Sequence, residues 1–296
     1  MKKILLASTA LIMSAGFAAA EVTVGGDGRM GIIDNFDDDL AFTSRIRISF
    51  AASGETDGGL SFGGSIRADN AASGNGNENM TAGTVFISGA FGKLSMGDVD
   101  GAAKAAVGHV SGVGLTGLGD LNEMSYAASG GNMDKTGALY EYNTGGLTFY
   151  ASAAQPDTDQ DTAAPGDDTF DAYAVGVKYA WGDYTVALGY EDNEAGVDHI
   201  IVGGTASFGD ATVKAIYGHA DFGATDGDQY SISLDYVFGA TTATAFYADD
   251  EDLGGVKAYG LGASYDLGGG AALKGGYVKN DTADVDGFDF GISMSF

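Results

Sequence analysis

Apolar and polar residues alternate one by one along much of this chain. In LAFTSRIRISF (40–50), Leu40, Phe42, Ile46, Ile48 and Phe50 share one parity, and Thr43, Arg45, Arg47 and Ser49 share the other. GFDFGISMSF (287–296) separates Phe288, Phe290, Ile292, Met294 and Phe296 from Asp289, Gly291, Ser293 and Ser295. DAYAVGVKYAW (171–181) sets Tyr173, Val175, Val177, Tyr179 and Trp181 on the face opposite Lys178. Successive side chains of a strand point to opposite faces, so this period of two predicts β-strands with one apolar face. No segment longer than a few turns reads as an amphipathic helix.

Two kinds of link take turns between the strands. Short Gly-containing links fall at 57–59, 91–93, 144–146, 181–183, 208–210, 238–240 and 267–270. Longer polar or acidic links fall at 35–39, 74–80, about 98–136, 155–168, 193–198, 223–228, 249–255 and 280–286. Seven short and eight long links join sixteen strands, with both chain ends on the short-turn side. An even strand number with short turns at one end and long loops at the other is the pattern of a bacterial outer-membrane barrel. A spacing supports it: Tyr190, Tyr217, Tyr247 and Tyr277 each lie eight residues after a turn glycine, Gly182, Gly209, Gly239 and Gly269. Eight residues rising about 3.3 Å each on a strand tilted by about 45° climb close to 20 Å, near the ~25 Å apolar band of such barrels. Trp181, Phe208 and Phe238 would mark one aromatic girdle and the tyrosines the other. Barrel closure also satisfies every backbone group, which a membrane demands.

The first residues, MKKILLASTALIMSAGFAAA, carry Lys2 and Lys3, a short apolar core and Ala18-Ala19-Ala20. That is the form of a secretory signal, so 1–20 is expected to be cleaved, leaving 21–296 as a single transmembrane β-barrel domain. The aromatic Phe296 ending an alternating strand is the kind of residue that outer-membrane assembly machinery recognises. The chain has no cysteine, 50 glycines and two prolines, Pro156 and Pro165. A formal charge of -27 makes nucleic acid a poor partner, because phosphates repel it. Four arginines, Arg29, Arg45, Arg47 and Arg67, sit on the first three strands with polar parity. Arginine on the lipid face would cost about 2–4 kcal/mol at the midplane, so these cations are expected to line one arc of the lumen.

EVTVGGDGRMGII, SRIRISFAASGETDGGLSFGGSIRA, GTVFISGAFGKLSMGD and AYGLGASYDLGGGAALKGG resemble the sixteen-stranded general diffusion porins of Rhodobacter-type alphaproteobacteria. The resemblance runs along essentially the whole chain after the leader. It implies an all-β, 16-stranded antiparallel barrel in the bacterial outer membrane, a homotrimer, and a third loop (98–136) folded inward to narrow the pore to an eyelet. It also implies acids on that loop opposite the arginine arc, here Asp120 and Glu123, with Asp98 and Asp100 near the loop base. AAKAAVGHVSGVGLTGLG holds Lys104 and His109 but no acid, a departure that weakens the implied transverse field. His109 is expected to be solvated, with titration near neutral pH as the alternative.

The function implied is passive diffusion of ions and small hydrophilic solutes through a water-filled channel, with a mild cation preference from the net acid. A solute-specific channel, or a plugged structural or adhesive barrel, stays open beside it. An enzyme has no support: G-x-S-x-G and H-E-x-x-H are absent, and the three histidines are His109, His199 and His219. No cofactor is required. Dense carboxylates at Asp37, Asp38, Asp39, Asp157, Asp159 and Asp161 suit Ca²⁺ at the outer loops, beside lipopolysaccharide.

Overall fold

The computed structural model describes residues 21–37, 39–71, 83–128, 137–154, 172–193 and 196–296; the candidate signal at 1–20 lies outside them. The strands are β1 (Glu21–Asp34), β2 (Leu40–Glu55), β3 (Ser61–Ala71), β4 (Thr84–Gly89), β5 (Gly92–Gly97), β6 (Gly137–Thr144), β7 (Leu147–Ala154) and β8 (Ala172–Trp181). They continue as β9 (Tyr184–Asn193), β10 (Val197–Phe208), β11 (Ala211–Asp221), β12 (Asp226–Phe238), β13 (Thr241–Asp249), β14 (Lys257–Gly268), β15 (Ala271–Asn280) and β16 (Val285–Ser295). Each pairs antiparallel with its sequence neighbours, and β1 closes on β16 from Asp27↔Ser295 to Asp34↔Phe288. Closure removes both sheet edges. Backbone bonds from Gly26 N–H to the Phe296 carbonyl (2.7 Å) and from Phe296 N–H to the Gly26 carbonyl (3.0 Å) finish the seam.

The alternation maps onto inside and outside as expected. Val22, Val24, Met30, Phe42, Ile46 and Phe50 are exposed on the outer face of β1 and β2. The same holds around the barrel for Val175, Leu188, Val202, Ile232, Leu261 and Phe290. So much continuous apolar surface is untenable against water and suits lipid. Among the described residues no helix is long and apolar enough to cross a membrane; the crossing belongs to the strands. Both girdles form. At the short-turn end Tyr179, Trp181 and Tyr184 stack in succession at 5.4 and 5.8 Å between ring centres, and Tyr184 meets Phe208 edge-on. At the other end Tyr217 stacks on Tyr230, and the hydroxyls of Tyr190, Tyr217 and Tyr247 donate to Asp198, Asp228 and Asp249. Rings thus lie in the apolar band while their hydroxyls reach the polar layer.

The hairpin turns need φ > 0, which Gly182 (φ 56°) and Gly209 (φ 64°) adopt without a Cβ clash. Leu60 lies in the turn before β3, where its carbonyl accepts the Thr56 N–H at 2.8 Å. The buried apolar residues do not fill the barrel's centre. They form a layer between the inner wall and the segment after β5: Ala102, Val107, Val110 and Leu118 on one side, Tyr150, Ile201, Phe246 and Val278 on the other.

Candidate pore constriction

The segment after β5 turns inward and runs along the wall. Its first part is a six-residue helix, α1 (Ala102–Val107), and a short 3-10 turn covers Leu118–Asp120. Small residues on α1 meet glycines on the wall. A Cβ at Gly176 would lie 2.5 Å from the Ala102 carbonyl oxygen, one at Gly189 2.5 Å from Ala103 Cβ, and one at Gly203 2.8 Å from Val107 Cγ1. The track resumes farther round. Cβ atoms would fall 2.8 Å from Val113 at Gly262, 2.5 Å from Gly114 N at Gly276, and 2.7 Å from Leu115 Cδ2 at both Gly291 and Gly31. Such spacing leaves no room for a side chain, so these inward glycines mark the loop's path from β8 to β1.

Polar groups of the wall satisfy the loop backbone along that path. Ala102 N–H donates to Ser152 Oγ (2.8 Å), and Ser111 donates through its N–H to Ser233 Oγ (3.1 Å) and through its hydroxyl to Asp235 (2.6 Å). At the loop's far end Asp289, 2% exposed, accepts from Leu115 N–H (2.8 Å), Thr116 N–H (2.6 Å) and Thr116 Oγ1 (2.8 Å). Arg29 Nη1 donates to the Thr116 carbonyl of the same turn at 3.1 Å. The returning limb of the loop is held by Asp250, which accepts from Ser125 N–H (2.9 Å) and Oγ (2.6 Å), and by Glu191, which accepts from Ala127 N–H (2.6 Å). Glu191 belongs to a buried chain: with its proton on Nδ1, His199 donates to Glu191 and accepts from Gln229 through Nε2 (2.7 Å).

Inside the loop, Asn122 Nδ2 donates to the Val110 carbonyl (2.7 Å), Tyr126 hydroxyl to the Gly108 carbonyl (2.6 Å), and Met124 N–H to His109 Nδ1 (3.0 Å). His109 is therefore not simply solvated, nor does it titrate near neutral pH. Burial, then the charges of Lys104 and Lys214, push it down to about 4. Its 3.6 Å approach to Glu123 is accordingly not an ion pair at neutral pH. Burial, reinforced by Asp120, raises the Glu123 carboxyl, and burial raises Asp250 against the opposing bonds from Ser125.

Arg45, Arg47 and Arg67 stand on β2 and β3, while Arg29 on β1 touches the loop itself at the Thr116 carbonyl. Arg29 stands directly opposite Arg45 in the β1–β2 ladder, Asp27 opposite Arg47, and Arg47 opposite Asp69 in the β2–β3 ladder. Like charges directly opposite one another repel. Acids of the same wall offset this: Arg45 meets Asp27 at 3.2 Å, and Arg47 and Arg67 meet Asp69 at 2.9 and 2.7 Å. Asp69 escaped the sequence reading, although it follows Arg67 by two residues and so shares its inward parity. Asp98, Asp100, Asp120 and Glu123 are exposed, and Asp100 pairs with Lys104 at 3.0 Å.

Of the acids considered for Ca²⁺, Asp38, Asp157, Asp159 and Asp161 lie outside the described residues. Asp37 and Asp39 stand in the first outer loop, where Asp37 accepts the Asp39 N–H at 3.2 Å. Among the described residues no group of three or more His, Cys, Asp or Glu side chains is arranged to hold a metal ion.

A closed barrel, apolar outside and charged inside, with a loop packed against its inner wall, defines a membrane channel of the porin type. Residues 7–285 match the Gram-negative porin family, and the chain belongs to it. It is 37% identical to a porin of Rhodobacter capsulatus, over 93% of this chain and all of that one. It is 29% identical to a porin of Fuscovulum blasticum, over 91% of this chain and all of that one. A porin structure refined at 1.8 Å superposes with a TM-score of 0.77 at 36% identity, covering 93% of this chain and all of the other. The chain is an outer-membrane porin channel, and its family places it among channels rather than enzymes.

Proposed function

We propose that the channel is a general diffusion pore whose narrowest part lies between the arginine arc (Arg29, Arg45, Arg47, Arg67) and the exposed acids Asp98, Asp100, Asp120 and Glu123. One observation supports this: the loop is fixed to the wall at Ser152, Ser233, Asp235, Asp250, Glu191 and Asp289, so its exposed acids keep a steady position in the lumen. The two charge sets make a field across the opening. Polar solutes orient in it; apolar ones must displace the ordered water. Counting Asp27, Asp69 and Lys104 with these groups, six carboxylates face five cations, which favours a mild preference for cations.

The working unit is a homotrimer in contact with lipid and lipopolysaccharide. Support comes from the low wall at β4 and β5, six residues each, and from an outward apolar recess beside it lined by Val22, Phe50, Ile66 and Val85. Residues 1–20 serve as a signal removed after Ala20. Divalent cations such as Ca²⁺ at the acidic outer loops remain part of this reading.

Planar-bilayer recording of the refolded chain tests it. Large ohmic steps that close in threes at high voltage are expected, with a reversal potential of cationic sign in a salt gradient. Barrels that insert but pass no current would favour a plugged structural barrel, and a current that saturates with one solute would favour a specific channel.

A further inference from the structure

Below α1, toward the short turns, the lumen wall holds a recess of about 290 Å³ that the constriction does not use. Lys178 on β8 and Lys214 on β11 enter it from its two sides. Between them β9 and β10 present Ala187 and Gly203, which leave the floor open, and Thr185 and Thr205, which bring hydroxyls. Thr205 pairs with Thr185 on one side and with Lys214 on the other, while Lys178 is in register with Ala187. Three strand spacings of about 4.8 Å and an offset of two residues along the strands put the two lysine backbones about 16 Å apart, a span that two extended lysine side chains bridge only by both reaching toward one ion.

Neither amine is neutralised. Among the described residues no carboxylate pairs with Lys178 or Lys214. On neighbouring β12, Asp235 is occupied by the hydroxyls of Ser111 and Thr244. Lys214 spends one donor on the Val107 carbonyl, at 2.7 Å, which fixes its amine at the mouth of the recess. An ammonium has three donors, so two remain. Lys178 lies over the Tyr150 ring, 5.4 Å from its centre, a contact that uses none of its hydrogen bonds. Two half-buried cations, two hydroxyls and no acid form a site for a compact, multiply charged oxyanion. The space takes a phosphate group together with several waters of about 30 Å³ each.

We infer that this recess binds small phosphate-bearing solutes on the short-turn side of the constriction. The inference rests on an open lumen. A solute that has passed the acid-lined loop meets a pair of amines there and dwells. Lipid phosphates do not reach the inside of the barrel, so the ligand is a free solute.

The test is single-channel recording of the full chain in dilute KCl at pH 7 with inorganic phosphate added, each variant's own chloride conductance serving as its reference. A saturable, phosphate-dependent fall in current is expected. Its half-effect concentration should rise about tenfold in Lys178→Met, the size of one charge-assisted contact partly screened by water, and be restored in Lys178→Arg. Lys214→Met should act in the same direction. Conducting channels that do not respond to phosphate overturn the site. So does a response equal in wild type and both Met variants, which would move the anion to the arginine arc. A chain that conducts no KCl at all would instead refute the diffusion-pore reading.

Discussion

Removing the carboxylate of Asp289 should release the far end of the infolded loop while leaving the barrel intact. Asp289 receives three hydrogen bonds from two consecutive loop residues, all at 2.6–2.8 Å, and is almost wholly buried. A hydrogen bond to a charged group is worth about 1.5–3 kcal/mol, and three sharing one carboxylate are not additive. Water can refill the site in Asp289→Ala from the adjacent lumen. A net loss of about 3–4 kcal/mol from the pinned state follows, a shift of two to three orders of magnitude in the equilibrium between pinned and released loop. Arg29 would still hold the Thr116 carbonyl, so the turn loosens without departing. The expected result is greater open-channel noise, a larger mean conductance and faster proteolytic nicking within 108–120, with strand content and bilayer insertion as in the wild type. Asp289→Asn, which keeps one acceptor, should fall between the two. Unchanged noise and unchanged nicking in Asp289→Ala would refute the idea that this carboxylate holds the constriction in place.

Gly189→Val should force α1 off the wall, since even a Cβ there would meet Ala103 at 2.5 Å. Overpacking of this kind costs about 1–3 kcal/mol, read as a lower thermal midpoint together with an altered conductance. Acid should also loosen the loop. His109 is held down to about 4, from an ordinary value near 6.5, so the pinned loop takes up fewer protons than a released one. Its stability is therefore unaffected above about pH 6.5, declines as pH falls toward 4, and loses nothing more below that. Channel noise should rise over that window in the wild type and much less in His109→Gln, whose amide oxygen can still accept the Met124 N–H. Glu123, raised by burial, works against this by favouring the pinned loop as it protonates, so Glu123→Gln should steepen the response. Replacing Arg45 and Arg47 together by Ala leaves Asp27 without its arginine partner and Asp69 with Arg67 alone. The reversal potential should move further toward cations; no shift would mean that the arc lies away from the narrowest ring.

The barrel was readable because one face of every strand meets lipid, so the period of two stands out in residues such as Val22, Val24 and Phe288. Turn glycines and girdle tyrosines then set the strand count. The inner face was harder, because a lumen tolerates charge, hydroxyl, alanine and glycine alike. Arg29, Arg45, Arg47 and Arg67 were legible from parity, yet their partners Asp27 and Asp69 required the register that brings β1, β2 and β3 together. The loop's anchors, Asp289, Asp250 and Glu191, lie between 64 and 174 positions away from the backbone groups they hold, beyond any local pattern.

A signal for the loop's path was nonetheless present. Gly176 faces Gly189 across the β8–β9 ladder, Gly262 faces Gly276 across β14–β15, and Gly31 faces Gly291 across the closing seam. Glycine weakens a strand interior, so paired glycines at inward positions have a cost that only a close backbone can explain. The inward glycines Gly203, Gly262 and Gly276 lie where Val107, Val113 and Gly114 come closest. Strands β3 to β6, away from that path, carry side chains such as Arg67, Asp69, Lys93 and Glu141 at inward positions. The wall is thus written in two registers: bare where the loop must lie, and furnished with side chains where solutes must pass.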